Sequence, residues 1–281
     1  MNTDHLSRLL GERIIRIEQI SGGCKGNSVF AESQNRKKYF VKRYYDNKPG
    51  RTLSEAEGLK ELANTKVIRV PEVFLVQEDY IVLEFIESGQ KVSGFMQNFG
   101  RALGELHKHV HKYFGFRVHN FIGETFQSNS QSEDWLNFYR EERLMYQFRL
   151  LEQKGYADAV IRRSFSKLLD KLDSIIISED TTPSLIHGDL WSGNYMIDNY
   201  SNPVLIDPAA YYGDREADIA MTRLFGGFDD DFYSAYNENY AMAPGYDYRE
   251  KIYKLYHLLN HLNIFGYGYY SQVLSTMEFY L

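Results

Sequence analysis

The chain has 281 residues, 43% of them hydrophobic and 25% charged, with a formal charge of −6. That is enough apolar material for one large domain or two lobes. An acidic balance without a basic block argues against nucleic acid as the main partner, and no apolar run approaches the ~20 residues of a membrane span. The polar start MNTDHLSRLLGERI does not read as a secretory signal, and one cysteine, Cys24, excludes an internal disulfide and argues against a cysteine-rich metal site; the expectation is a cytoplasmic protein with no membrane partner.

In chain order, Leu6, Leu9 and Leu10 space a short amphipathic helix capped near Asn2, Thr3 or Asp4. Ile14 to Ile20 alternates apolar and polar residues and reads as a strand. A Gly-rich stretch follows, Ser21 to Asn27 (SGGCKGN), then a second strand near Ser28–Glu32. Gly22 and Gly23 would let backbone N–H groups approach phosphates closely; a plain hairpin turn explains the same residues. Lys38 to Tyr45 is the third strand, and Ser54 to Asn64 a helix with Leu53, Leu59 and Leu62 on its apolar side. Val73–Gln77 and Tyr80–Ile86 complete five strands and one main helix, with Glu87–Gln90 as the exit. From Phe95 onward helical spacing dominates, through Phe99, Leu103, Leu106 and Val110. His107, His109 and His111 crowd together, but only the first and last share a helix face, and no H-E-x-x-H pattern accompanies them. They read as structural or solvated. Phe114 to Ser132 reads as a long loop, and Asp134–Glu152 and Tyr156–Ile177 as two long helices.

Chemistry concentrates between Ser184 and Ala220. The runs Ser184–Ile186, Tyr195–Ile197 and Val204–Ile206 read as short buried strands, with Asn199–Pro203 as the turn between the last two. Asp189 is followed five residues later by Asn194, and Asp207 stands beyond the next hairpin. This is the Asp-to-Asn step of the kinase catalytic loop H-R-D-x-x-x-x-N, with a metal-binding Asp on the following hairpin. A phosphoryl-accepting hydroxyl needs an oriented carboxylate, assigned to Asp189. Mg²⁺ on the ATP phosphates needs oxygen ligands, assigned to Asn194 and Asp207. Singly, the three have plain readings as a turn residue, a satisfied amide and a cap; those readings would have to coincide three times. Downstream, Asp214 to Phe225 reads as a helix, then Phe232–Asn239, Arg249–Phe265 and Tyr270–Leu281.

The words HGDLWSGN, DPAAYYGDREADIAM and LFGGF closely resemble the fructosamine-kinase (ketosamine-3-kinase) family, within the kinase-like phosphotransferases that include aminoglycoside and choline kinases. Those relatives usually lack Trp191-Ser192 and the Gly213–Glu216 run. The likeness covers nearly the whole chain, strongest from Ile186 to Phe228 and weaker across Gly22–Asn27.

The resemblance implies an α+β, two-lobed protein-kinase-like fold. Residues 1–87 would form the nucleotide-binding lobe, a five-stranded antiparallel sheet with one main helix. Residues 88–281 would form the mainly helical catalytic and substrate-binding lobe. Lys42 takes the place of the third-strand lysine that holds the α- and β-phosphates. Glu55, four residues before Leu59, is its family-pattern partner, with Glu57 as the alternative. The backbone of Leu83, Glu84, Phe85 and Ile86 becomes the adenine hinge. Asp218 supports the catalytic-loop backbone. Trp191, Asp214, Arg215 and Glu216 fall near the acceptor, the last three alternatively capping their helix. The implied reaction is ATP- and Mg²⁺-dependent phosphorylation of the 3-hydroxyl of a ketosamine (fructosamine, ribulosamine or erythrulosamine, free or on a glycated protein), leading to deglycation. The alternatives are an aminoglycoside- or choline-type kinase of the same fold and a non-catalytic nucleotide-binding protein. A monomer is expected. Cys24 beside Lys25 could link two chains under oxidation; a thiol of no consequence is the other reading.

Overall fold

The structure, a computed structural model, describes residues 2–20, 28–46, 48–176 and 181–281; the loop candidates Gly22, Gly23 and Cys24 lie outside these. The chain divides into two compact units, Met1–Phe95 with Tyr195–Asp207, and Met96–Asn194 with Pro208–Leu281.

The first unit begins with α1 (Thr3–Leu10), where the Asn2 side chain accepts from the His5 amide at 2.9 Å. Strands β1 (Ile14–Gln19), β2 (Ser28–Ser33) and β3 (Lys38–Arg43) follow. Then come α2 (Arg51–Asn64), β4 (Val73–Val76) and β5 (Tyr80–Glu84). The five strands form one antiparallel sheet in the order β1-β2-β3-β5-β4. Strand alternation decides its faces. Tyr39 and Val41 pack with Leu6, Ile14, Ala31, Tyr80 and Val82 in one apolar cluster, while Phe40 and Lys42 point to the other face. Gly50, at φ 76, turns the chain into α2 three residues earlier than the leucine spacing suggests. Glu55, Leu59 and Leu62 are buried on that helix at helical spacing.

The second unit carries α3 (Phe95–His107), β6 (Asn120–Ile122), β7 (Thr125–Gln127) and α4 (Trp135–Phe138). A wider π-type turn over Tyr139–Met145 joins α4 to α5 (Tyr146–Gln153), and α6 (Ala159–Leu169), α7 (Leu172–Ile175) and β8 (Ser184–Ile186) follow. The next two strands, β9 (Tyr195–Ile197) and β10 (Pro203–Leu205), form a hairpin of the first unit, tied there by bridges from Arg69 to Val204 and from Ser88 to Asp198. The chain ends in the second unit with β11 (Tyr211–Gly213), α8 (Arg215–Thr222), α9 (Asp230–Asn239), α10 (Tyr246–Phe265) and α11 (Tyr270–Glu278).

Three elements depart from the sequence reading. The segment 114–132 is not wholly a loop: β6 and β7 pair as a hairpin. Its polarity is absorbed internally, with Gln127 and Asn129 both donating to the Asn120 side-chain oxygen and Asn120 donating to the Ala210 carbonyl at 2.8 Å. The helix expected over 156–177 breaks at Asp170-Lys171 into α6 and α7. β11, not foreseen, pairs antiparallel with β8 and so fixes the segment leading into the His187–Asn194 loop.

Candidate active site

In the first unit, the Lys42 ammonium lies 3.0 Å from a Glu55 carboxylate oxygen and 2.8 Å from Asp207 Oδ1. β3 places Lys42 and α2 places Glu55, both buried. Burial alone would lower the Lys42 pKa, but the Asp207 and Glu55 carboxylates outweigh it and hold the ammonium well above its usual range. Tyr44, two residues along the same strand face, donates to the other Glu55 oxygen, and the Arg51 guanidinium lies 4.2 Å from the centre of its ring. Sequence reading missed Tyr44, although its spacing from Lys42 was the available signal. Asp207 has φ 53, a conformation uncommon for a residue with a side chain. Its hairpin is held by Arg69, which donates to the buried Asp198 carboxylate at 2.8 Å and accepts from the Leu205 amide at 2.9 Å.

At the end of β5, the Leu83 side chain is buried, and the Glu84 and Phe85 amides donate to the Glu72 and Lys38 carbonyls. The Ile86 amide has no backbone partner among the described residues.

In the second unit, the loop from His187 to Asn194 leaves β8. Asp218, on the first turns of α8, accepts from the His187 amide at 2.7 Å with one oxygen and from the Gly188 amide at 2.8 Å with the other. Gly188 has φ 81, and a Cβ there would fall 2.2 Å from the Ala209 carbonyl oxygen, so the turn requires glycine. Burial pulls the Asp218 carboxyl up, but hydrogen bonds from His107 and the His187 amide, with the nearby histidine rings, hold it below its usual value. Asn194 donates through its side-chain nitrogen to the Asp189 carbonyl at 2.8 Å and to Asp189 Oδ2 at 3.1 Å. These bonds fix the Asp189 carboxylate relative to its own backbone.

Trp191 is 37% exposed two residues beyond Asp189, with its ring folded over Gly193 and Phe225 edge-on to it at 6.2 Å. The structure gives Asp214, Arg215 and Glu216 internal partners. Asp214 caps α8 by accepting from the Glu216 amide and also accepts from the Tyr253 hydroxyl at 2.5 Å. Arg215 donates to the Tyr236 hydroxyl and to the Tyr240 and Ala241 carbonyls. Glu216 takes a bidentate pair from Arg249 at 2.6 and 2.7 Å. All three line a cavity of about 370 Å³ with Thr181, Thr182 and Arg249.

On α10, His257 is buried, its Nδ1 has no hydrogen-bond partner among the described residues, and burial pushes it down to about 3. An unfolded histidine binds a proton near pH 6.5. The neutral ring therefore contributes its full stability above that pH, and the contribution is lost as pH falls toward 3. From pH 7 to pH 5 the expected loss is about 2 kcal/mol. Urea titrations across this range should show the slope in the parent and not in His257→Gln; an unchanged slope would remove His257 from the acid response.

The fructosamine kinase family model matches residues 2–281. A chloroplastic protein-ribulosamine 3-kinase of Arabidopsis thaliana is 39% identical over 276 residues, spanning 96% of this chain and 83% of that protein. A crystal structure from Thermobifida fusca YX-ER1, provisionally named a fructosamine-3-kinase, superposes with a TM-score of 0.88 at 29% identity, covering 98% of this chain and 96% of that one. A choline kinase from Streptococcus pneumoniae shares the fold, with a TM-score of 0.67 at 18% identity over 99% and 98% of the two chains. No helix among the described residues is long and apolar enough to cross a membrane. With a five-stranded antiparallel sheet, a helical remainder and this match over its length, the chain belongs to the fructosamine kinase family and is an ATP-dependent phosphotransferase.

Proposed function

We propose that this chain transfers the γ-phosphoryl of ATP to the 3-hydroxyl of a ketosamine, with ribulosamine, erythrulosamine and fructosamine adducts as the candidate acceptors. The observation that carries the reading is the held Asp189 side chain: Asn194 donates to its carboxylate and to its main-chain carbonyl, on a loop whose His187 and Gly188 amides are held by Asp218.

In this mechanism Asp189 orients the acceptor hydroxyl and takes its proton as the oxygen attacks the γ-phosphorus. Lys42, fixed by Glu55, steadies the nucleotide phosphates, and the backbone from Leu83 to Ile86 receives the adenine. Trp191 offers an aromatic face to the acceptor. Asp214, Arg215 and Glu216 serve this site by anchoring α8, which carries Asp218. Catalysis is positioning plus charge neutralisation.

Magnesium fits the donor set. Among the described residues no three His, Cys, Asp or Glu side chains cluster as a metal cage, and Mg²⁺ is commonly held by one or two protein oxygens together with substrate phosphates. Asn194 turns its nitrogen to Asp189, so its side-chain oxygen would be the atom to take the ion, and Asp207 would supply a carboxylate. When bound, the ion would neutralise phosphate charge.

The test is a panel assay with ATP and Mg²⁺, following ADP release, the 3-phosphate by phosphorus NMR, and the freed amine by an amine-specific assay. Ribulosamine, erythrulosamine and fructosamine should turn over, and aminoglycosides and choline should not. Preference for choline or an aminoglycoside would overturn the acceptor, and no turnover with any acceptor would favour a non-catalytic nucleotide-binding role.

A further inference from the structure

The grip of Asp218 on the catalytic loop does not end at Asp218. Its Oδ2 atom also lies 3.3 Å from His107 Nε2, at the end of α3. His107 Nδ1 is 2.8 Å from the Tyr236 hydroxyl on α9. That hydroxyl receives a hydrogen bond from Arg215 Nη1 at 3.1 Å, and the Arg215 guanidinium is further fixed by the Tyr240 and Ala241 carbonyls and by stacking 3.8 Å from the Tyr240 ring centre. His107, Tyr236 and Asp218 are essentially sealed from solvent.

The two ends of this chain have fixed direction. Arg215 can only donate, so the Tyr236 oxygen accepts. The Asp218 carboxylate can only accept, so His107 carries a hydrogen on Nε2 and gives it to Oδ2. The Tyr236 hydroxyl and His107 Nδ1 share the bond between them. Asp218 Oδ2 also accepts from the His187 amide, and Oδ1 from the Gly188 amide. The arginine sets the direction at one end of the chain and the carboxylate at the other.

We propose that His107, Tyr236 and Arg215 are positioning residues for phosphoryl transfer: they fix the rotation of the Asp218 carboxylate so that both oxygens meet the amides flanking the left-handed turn at Gly188, and thereby aim Asp189. The physical need is specific to this turn. Gly188 occupies a backbone conformation with a neighbouring carbonyl so close that no side chain fits, and nothing about glycine itself holds it there. Without the imidazole the Asp218 carboxylate is held by the same two amides it positions; the His107 Nε2 contact gives Oδ2 an anchor on α3 that is independent of the loop, and a misplacement of about 1 Å at a reacting group can cost on the order of 100-fold in rate. The catalytic part of the proposal rests on Asp189 being the residue that receives the acceptor proton.

Three variants in the full chain test it, each read by kinetics, melting temperature and amide exchange. His107→Leu keeps bulk but removes the donor. It is expected to lower kcat by about 10- to 100-fold while the KM for ATP stays within about twofold. His107→Gln, whose side-chain nitrogen can take the place of Nε2, should recover most of that loss. Tyr236→Phe breaks the chain without changing volume and should lower kcat by roughly three- to tenfold; it carries the test if His107→Leu does not fold. In the leucine and phenylalanine variants the His187 and Gly188 amides should exchange about tenfold faster or more, with the rest of the second unit unchanged. Parental kcat and parental loop exchange in His107→Leu would overturn the proposal, as would equal losses in the leucine and glutamine variants. If the parent phosphorylates no ketosamine, the function proposed above falls, and the exchange measurements still decide whether these residues hold the loop.

Discussion

Asp189→Asn is expected to lower kcat by about 10²- to 10⁴-fold, with ATP affinity and melting temperature near those of the parent. The substitution exchanges one oxygen for an NH₂ group without changing shape. Asn194 keeps its bond to the Asp189 main-chain carbonyl at 2.8 Å, and Asp218 keeps both loop amides, so the loop conformation has no reason to change. What disappears is the negative charge and the basic oxygen. A carboxamide can still accept a hydrogen bond from a sugar hydroxyl, so the acceptor should bind. It cannot take the proton as the oxygen–phosphorus bond forms. The loss should therefore fall on kcat, with the KM values for both substrates nearly unchanged, the pattern of an interaction made mainly in the transition state. Coupled ADP-release kinetics with a ribulosamine acceptor measure it. Turnover within about tenfold of the parent would show that the proton leaves by another route and would take Asp189 out of its assigned role.

What could be read in the sequence and what could not differ by the range of the interactions concerned. The sheet was legible because alternation within five or six residues sorts Tyr39 and Val41 from Phe40 and Lys42. The Asp189–Asn194 pair was legible because both ends of its hydrogen bonds lie on one short loop. Partners drawn from distant elements were not. The Asp214–Glu216 run reads equally well as a substrate contact or a helix cap, since nothing near it announces Arg249, 33 residues on, or Tyr253. His107 looks like one of three clustered histidines until α8 and α9 bring Asp218 and Tyr236 to its two ring nitrogens. The hairpin of β6 and β7 was invisible for a related reason: Asn120, Gln127 and Asn129 carry the composition of a loop, and only mutual burial turns their amides into a bonded network.

Lys42→Met should cost both stability and activity, and the two losses can be separated. The ammonium sits between Glu55 and Asp207, and methionine fills nearly the same volume without the charge. Glu55 is then a buried carboxylate whose remaining side-chain partner among the described residues is the Tyr44 hydroxyl. Removing one member of a buried ion pair typically costs about 3–5 kcal/mol. Asp207 adds less, because its side chain keeps 28% of its exposure and water can replace the lysine. Urea unfolding should register the loss directly. Adding Glu55→Gln removes the stranded charge while leaving an oxygen to accept from Tyr44, so the double variant should regain most of the lost stability. It should not regain activity, because the cation that would steady the nucleotide phosphates is still missing; kcat/KM for ATP should stay at least about 100-fold below the parent in both variants. If the double variant recovers turnover together with stability, Lys42 serves the fold alone and the phosphate role assigned to it is wrong. If the single variant is as stable as the parent, the charge on Glu55 is not stranded, and the buried pair between β3 and α2 contributes no net stability to the sheet it tethers.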